Sequence, residues 1–109
     1  MTTELECIEI GTSTQPEFSV IWLHGLGADG NDFAPIVPEL GVDHIPIRFI
    51  FPHAPVMPIT INGGMPMRAW YDLYMMDLVR YEDEKGLRES QQLVNALIAR
   101  EHARGIPTE

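Results

Sequence analysis

With Cys7 its single cysteine, this 109-residue sequence can form no internal disulfide. A buried, unreactive thiol in a reducing compartment is the expectation. Basic side chains are scarce as well: seven Lys and Arg face sixteen Asp and Glu, a formal net charge of −9. Such a chain repels polyphosphate backbones and anionic bilayers, which argues against nucleic acid as a partner. No apolar run approaches the roughly 20 residues of a membrane-spanning helix, so stable membrane insertion is not expected. The start, Met-Thr-Thr-Glu-Leu-Glu, has neither the basic end nor the apolar centre of a secretory signal, and a cytoplasmic location is expected by default.

With 45% hydrophobic and 21% charged residues, the composition is that of an ordinary globular chain with room for one core. No repeat or low-complexity tract divides it, and residues 1–109 read as part of one domain without an internal boundary.

Leu5 to Ile10 alternate as a first strand, ended by Gly11-Thr12-Ser13 and Pro16. Val20 to Leu23 form a continuous apolar run, the pattern of a parallel strand covered on both faces. Asn31 or Asp32 can cap a short helix carrying Phe33, Ile36, Val37 and Leu40, kinked by Pro38 and ended by Gly41. A third apolar strand, Ile45 to Phe51, is interrupted by Arg48 and stopped by Pro52. Strand, helix, strand in this order predicts a βαβ unit and an α/β fold.

Residues 52–80 carry Pro52, Pro55, Pro58, Pro66, Gly63-Gly64, five of the six methionines and Trp70-Tyr71, without a regular period. A stretch this long and irregular is more often functional than idle. Glu82, Asp83 and Glu84 then suit the positive end of a final helix, whose stripe is Leu87, Val94, Leu97 and Ile98. Arg100, His102 and Arg104 suit its negative end, Gly105 caps it and Pro107 prevents its continuation. Ser90 inside this helix reads as a surface hydroxyl.

The stretch His24-Gly25-Leu26-Gly27-Ala28-Asp29-Gly30 after the second strand raises the first chemical question. Gly25-x-Gly27-x-x-Gly30 has the spacing of a dinucleotide-binding loop, whose amides approach a pyrophosphate. That use needs a carboxylate at the end of the next strand to hold a ribose, and Phe49-Ile50-Phe51-Pro52-His53 offers none. His24 ahead of the glycines points to the other use, in which the Leu26 N–H faces a developing oxyanion. A plain tight turn stands level with this second reading on the residues alone.

His24-Gly25-Leu26-Gly27 after Val-Ile-Trp-Leu, Phe51-Pro52-His53-Ala54-Pro55, Asn62-Gly63-Gly64 and Trp70-Tyr71-Asp72 occur in the order and spacing of one family. Together they resemble the bacterial carboxylesterases of the phospholipase/carboxylesterase family, relatives of the acyl-protein thioesterases. The resemblance implies an α/β-hydrolase fold and a Ser-His-Asp esterase for short-to-medium acyl esters, thioesters or lysophospholipids, with no metal or cofactor. It makes Leu26 the oxyanion-hole residue, with His24, Gly25 and Gly27 shaping its loop. Trp70 and the methionines before it, Met65 and Met67, would line the acyl pocket, a core aromatic being the alternative for Trp70.

One departure is large. The family's nucleophile sits in a Gly-x-Ser-x-Gly elbow, whereas Ser13, Ser19 and Ser90 are the only serines here and none lies between glycines. None of His24, His44, His53 and His102 matches the triad base, and none has the spacing of a zinc pair. The expectation is therefore the N-terminal half of the enzyme, inactive by itself. It would expose an apolar edge beside Val20 to Leu23 and associate with a C-terminal half or with itself. A nucleotide-binding module on the glycine loop and a non-catalytic truncated interaction domain are the rival readings.

Overall fold

The computed structural model describes residues 5–72 and 83–107. Cys7–Gly11 (β1), Phe18–Ile21 (β2) and Ile47–Pro52 (β3) form a three-stranded sheet in the order β1-β3-β2. β1 runs antiparallel to β3 and β2 runs parallel to it. The central place of β3 follows from its composition, since a strand covered on both faces must be apolar nearly throughout. Period two sends Ile47, Phe49 and Phe51 to one face, where they pack with Val37 and with Ile8, Ile10 and Trp22. Arg48 and Ile50 turn to the other face, and the Arg48 guanidinium meets Glu101 of the final helix there.

Several elements differ from the expectations. Pro52 is the last residue of β3, opposite Cys7, rather than its stop. β2 ends at Ile21 and occupies the sheet edge, with Phe18 53% and Val20 36% exposed, because no described strand pairs with its outer side. Its apolar run therefore marks a strand with one open flank. Cys7 is half-buried, and its thiol donates to the Leu5 carbonyl at 3.3 Å.

The segment Ala34–Leu40 is a 3-10 helix and not an α-helix. Pro38 lies within it and has no N–H for an α-type bond, and neither Asn31 nor Asp32 caps it, the N-cap position being Phe33. It still buries Val37, and Phe33 stacks on Trp22 at 5.3 Å between ring centroids.

The irregular stretch contains a hairpin, Val56–Ile59 (β4) with Met65–Arg68 (β5). Pro58 stands opposite Pro66, which gathers both missing N–H groups at one rung of the ladder. A proline within each strand conceals the hairpin from any count of β-formers.

The final helix, Glu84–Ala103 (α1), starts within the acidic cluster expected at its positive end, and its N-cap Asp83 accepts at Oδ1 from the Gly86 N–H at 2.9 Å. It ends with the Gly105 N–H on the His102 carbonyl and the Ile106 N–H on the Glu101 carbonyl, the paired bonds of a Schellman motif. Of the expected stripe Leu97 is buried and Val94 half-buried, but Leu87 and Ile98 are each 39% exposed, and Gly86, Ser90 and Glu101 complete the buried face. A polar anchor at Glu101 turned the helix away from its most apolar side. Glu82 and two of the methionines, Met75 and Met76, lie outside the described residues. Among the described residues no helix is long and apolar enough to cross a membrane.

Candidate functional site

The loop after β2 is built around His24. The Trp22 N–H still reaches the Ile50 carbonyl of β3 at 2.8 Å, and the chain then departs from the sheet with His24 only 4% exposed. Its Nε2 accepts from the Ala54 N–H at 2.9 Å, so the ring proton sits on Nδ1, which donates to the Gly25 carbonyl at 2.7 Å. A second donor, the Ala28 N–H, reaches the same oxygen at 3.2 Å. In a planar trans peptide the N–H points opposite to the C=O. Holding the Gly25 oxygen from two sides therefore fixes the direction of the Leu26 N–H, for which no described residue is an acceptor.

Trp70 braces the loop from the opposite strand of chain. Its indole N–H donates to the His24 carbonyl at 2.9 Å, and the two rings lie 5.4 Å apart. The Trp70 carbonyl in turn accepts from the Ser90 hydroxyl. Asp72 accepts from the Thr60 N–H at 2.8 Å and from its hydroxyl at 2.6 Å, while its own N–H donates to Asp83 Oδ2 at 2.8 Å. Trp70-Tyr71-Asp72 thus clasps the hairpin, the loop and the start of α1 together. A cleft of about 250 Å³ opens between loop and clasp, lined by His24, Gly25, Leu26, Trp70 and Tyr71.

The glycines have unequal parts. Gly27 adopts φ +75° and its N–H donates to the Arg68 carbonyl at 2.9 Å. Gly30 approaches β3 so closely that a Cβ would lie 2.4 Å from the Phe51 oxygen, and its N–H donates to His53 Nδ1 at 3.0 Å. Nothing lies within 4 Å of a Cβ at Gly25. Two of the three amides of the Gly-x-Gly-x-x-Gly spacing are therefore engaged within the protein, and the seven residues of 3-10 helix beyond it supply no α-helix N-terminus. This is not the geometry that cradles a pyrophosphate.

Of the expected lining residues, Trp70 is at the cleft. Met65 projects from β5 at 62% exposure, and half-buried Met67 places Sδ 3.8 Å from the Cβ position of Gly27. Ser90 is 8% exposed and bonded, which corrects its reading as a surface hydroxyl. Small residues at Gly86 and Ser90, one helical turn apart, were the sequence signal of that buried face. Ser19 donates to Glu101 Oε1 at 2.5 Å and the exposed Ser13 hydroxyl accepts from the Gln15 N–H at 3.1 Å. No serine is bonded to a histidine among the described residues.

Glu101, which no motif of the sequence singles out, is 3% exposed. Burial pushes its carboxyl up, but the Ser19 hydroxyl, the Arg48 guanidinium at 2.7 Å and Arg104 at 2.9 Å together hold it below the usual range. Glu9 extends the network from β1 to Arg100 and Arg104.

The chain as a whole is similar to known proteins. Residues 5–109 match the model of the phospholipase/carboxylesterase family. Acyl-protein thioesterase 1 of Schizosaccharomyces pombe is 38% identical over 109 residues, covering 100% of this chain and 48% of the relative. That of Neurospora crassa is 41% identical over 100 residues, 84% of this chain and 40% of the relative. Among solved structures, Zea mays acyl-protein thioesterase 2 superposes with a TM-score of 0.76 at 27% identity, over 86% of this chain and 40% of that one. Arabidopsis thaliana SOBER1 gives 0.75 at 33% identity, over 84% and 45%. The chain spans about half the length of the curated relatives it matches, and these fungal and plant proteins do not single out the bacterial branch. A match of this extent, together with the α/β-hydrolase fold of its structural neighbours, shows that the chain belongs to the phospholipase/carboxylesterase family.

Proposed function

We propose that this chain is the oxyanion-loop part of one serine hydrolase domain that cleaves acyl esters or thioesters. The observation that supports this reading most is the Leu26 N–H, aimed by two bonds to the Gly25 carbonyl and without an acceptor among the described residues. In acyl transfer the carbonyl oxygen gains charge as the tetrahedral intermediate forms, and a donor already in place stabilises it without reorganising. Leu26 supplies that donor, while His24, Gly25 and Gly27 hold it in place.

The substrate is a small acyl compound. Trp70 and Tyr71 give the cleft apolar walls, with Met67 behind Gly27 and Met65 at the hairpin rim for a longer chain. At about 250 Å³ the cleft is below the roughly 300–1,000 Å³ of complete small-ligand sites, so these residues enclose part of a pocket only. Among the described residues no serine is bonded to a histidine, which supports the reading that these 109 residues lack the nucleophile and are inactive by themselves. The thioesterase relatives favour thioesters among the substrates.

The deciding experiment reads the coding sequence past Glu109 and treats the longest product with a fluorophosphonate probe. An in-frame Gly-x-Ser-x-Gly within about 15 residues, labelled at its serine, is the expected result. A natural product that ends at Glu109 and still hydrolyses an aryl ester would overturn the inactive-part reading. A longer product that neither labels nor hydrolyses would overturn the hydrolase.

A further inference from the structure

Ser90 does not itself line the cleft, yet it stands at the start of a run of hydrogen bonds that reaches the Leu26 peptide through Trp70 and His24. Its hydroxyl donates to the Trp70 carbonyl, the Trp70 indole N–H donates to the His24 carbonyl at 2.9 Å, and His24 Nδ1 donates to the Gly25 carbonyl at 2.7 Å. A serine within a helix ordinarily bonds back to a carbonyl one turn earlier. Here the hydroxyl leaves the helix, and it does so from a buried face that has Gly86 on one side and Leu97 on the other. The same segment is bound to α1 a second time, through the Asp72 N–H and Asp83 Oδ2 at 2.8 Å.

We propose that Ser90 is a positioning residue for the oxyanion amide and acts through Trp70. The inference rests on the hydrolase reading above. Two anchors on one helix, Ser90 and Asp83, set the height of Trp70 over the loop. Trp70 touches the loop by its indole N–H and by its ring against His24, so its placement is passed to the peptide whose far side is the Leu26 N–H. An oxyanion donor is useful in proportion to its order before the reaction, which gives a link outside the cleft a catalytic effect.

The test is ¹⁵N relaxation at Leu26 in the longest polypeptide that the gene encodes. In Ser90→Ala the order parameter of the Leu26 N–H falls from about 0.85 to below about 0.6, while the α1 amides keep theirs. Ser90→Thr, which restores the hydroxyl, keeps the original value. Trp70→Phe, which keeps a ring and removes the indole N–H, produces the same fall, and adding Ser90→Ala to it changes nothing more. An unchanged Leu26 in Ser90→Ala, or a further fall in the double variant, overturns the relay. Should Ser90→Ala also loosen α1, Trp70→Phe decides, since Ser90 is intact there, and an unchanged Leu26 in that variant is likewise fatal.

In the longest polypeptide that the gene encodes, Ser90→Ala lowers kcat about tenfold with KM unchanged. An unaltered kcat overturns the positioning role. Absence of hydrolysis in the unsubstituted polypeptide overturns the hydrolase reading instead and leaves the relaxation result standing.

Discussion

Arg48 Nη1 donates to Glu101 Oε1 at 2.7 Å, and this contact joins the central strand to the last turn of α1 with one partner 16% and the other 4% exposed. Removing one member of such a pair leaves a charge in a place water scarcely reaches. Arg48→Met is expected to lower the unfolding free energy by about 3 kcal/mol, the low end for a broken buried pair because Ser19 and Arg104 still hold Glu101. Arg48→Met combined with Glu101→Leu should recover most of that loss. Urea unfolding of the three proteins checks both values.

The same network sets a pH dependence. The Glu101 carboxyl is held below its ordinary value near 4.5 by Ser19, Arg48 and Arg104, which outweigh its burial. A group whose pKa is depressed on folding contributes stability above its unfolded pKa and loses it as pH falls through the folded one. Stability is therefore expected to decline as pH drops from about 4.5 downward, and Glu101→Gln should flatten that part of the profile. Thermal unfolding followed from pH 6 to about 3 measures it.

Glycines of the loop are expected to separate in their tolerance of alanine. Gly30→Ala puts a Cβ 2.4 Å from a β3 carbonyl oxygen and should cost about 1–3 kcal/mol. Gly25→Ala meets nothing within 4 Å and should change stability by under about 0.5 kcal/mol. Equal costs in denaturant titrations would contradict the close approach of Gly30 to β3.

For the amide itself, Leu26→Pro removes the backbone N–H at a residue that is 48% exposed, so side-chain packing changes little. Turnover of a short-chain aryl ester by the longest gene product is expected to fall about a hundredfold or more. Unchanged turnover would remove Leu26 from the mechanism.

The face of α1 gives a further contrast. Leu97 is 0% exposed and Leu97→Ala should cost about 2–5 kcal/mol, whereas Leu87, 39% exposed, should lose about 1 kcal/mol at most on the same change. Reversed costs would contradict the buried face that α1 presents to the sheet.

Much of this molecule could be read along the chain. The apolar run of β3, the Asp83 cap and the Gly105 terminus of α1 were legible because each depends on residues near in sequence. The motif set led to the family, and His24 drew attention to the loop, where its ring is bonded to the Gly25 carbonyl. What could not be read depends on partners far along the chain. The hairpin was concealed because Pro58 and Pro66 are acceptable only once they stand opposite each other. Ser90 and Glu101 look like solvated helix positions until Trp70 and Arg48 arrive beside them.

By itself, then, the sequence determined the α/β order of elements, the ends of α1 and the family, since local backbone preferences and short motifs decide these. The tertiary structure alone decided which face of α1 is buried, which glycine must remain a glycine and where the Leu26 N–H points. The reason is physical: a polar group is buried only beside its partner, and His24, Trp70 and Ser90 become neighbours only when residues 24 to 90 are folded against one another.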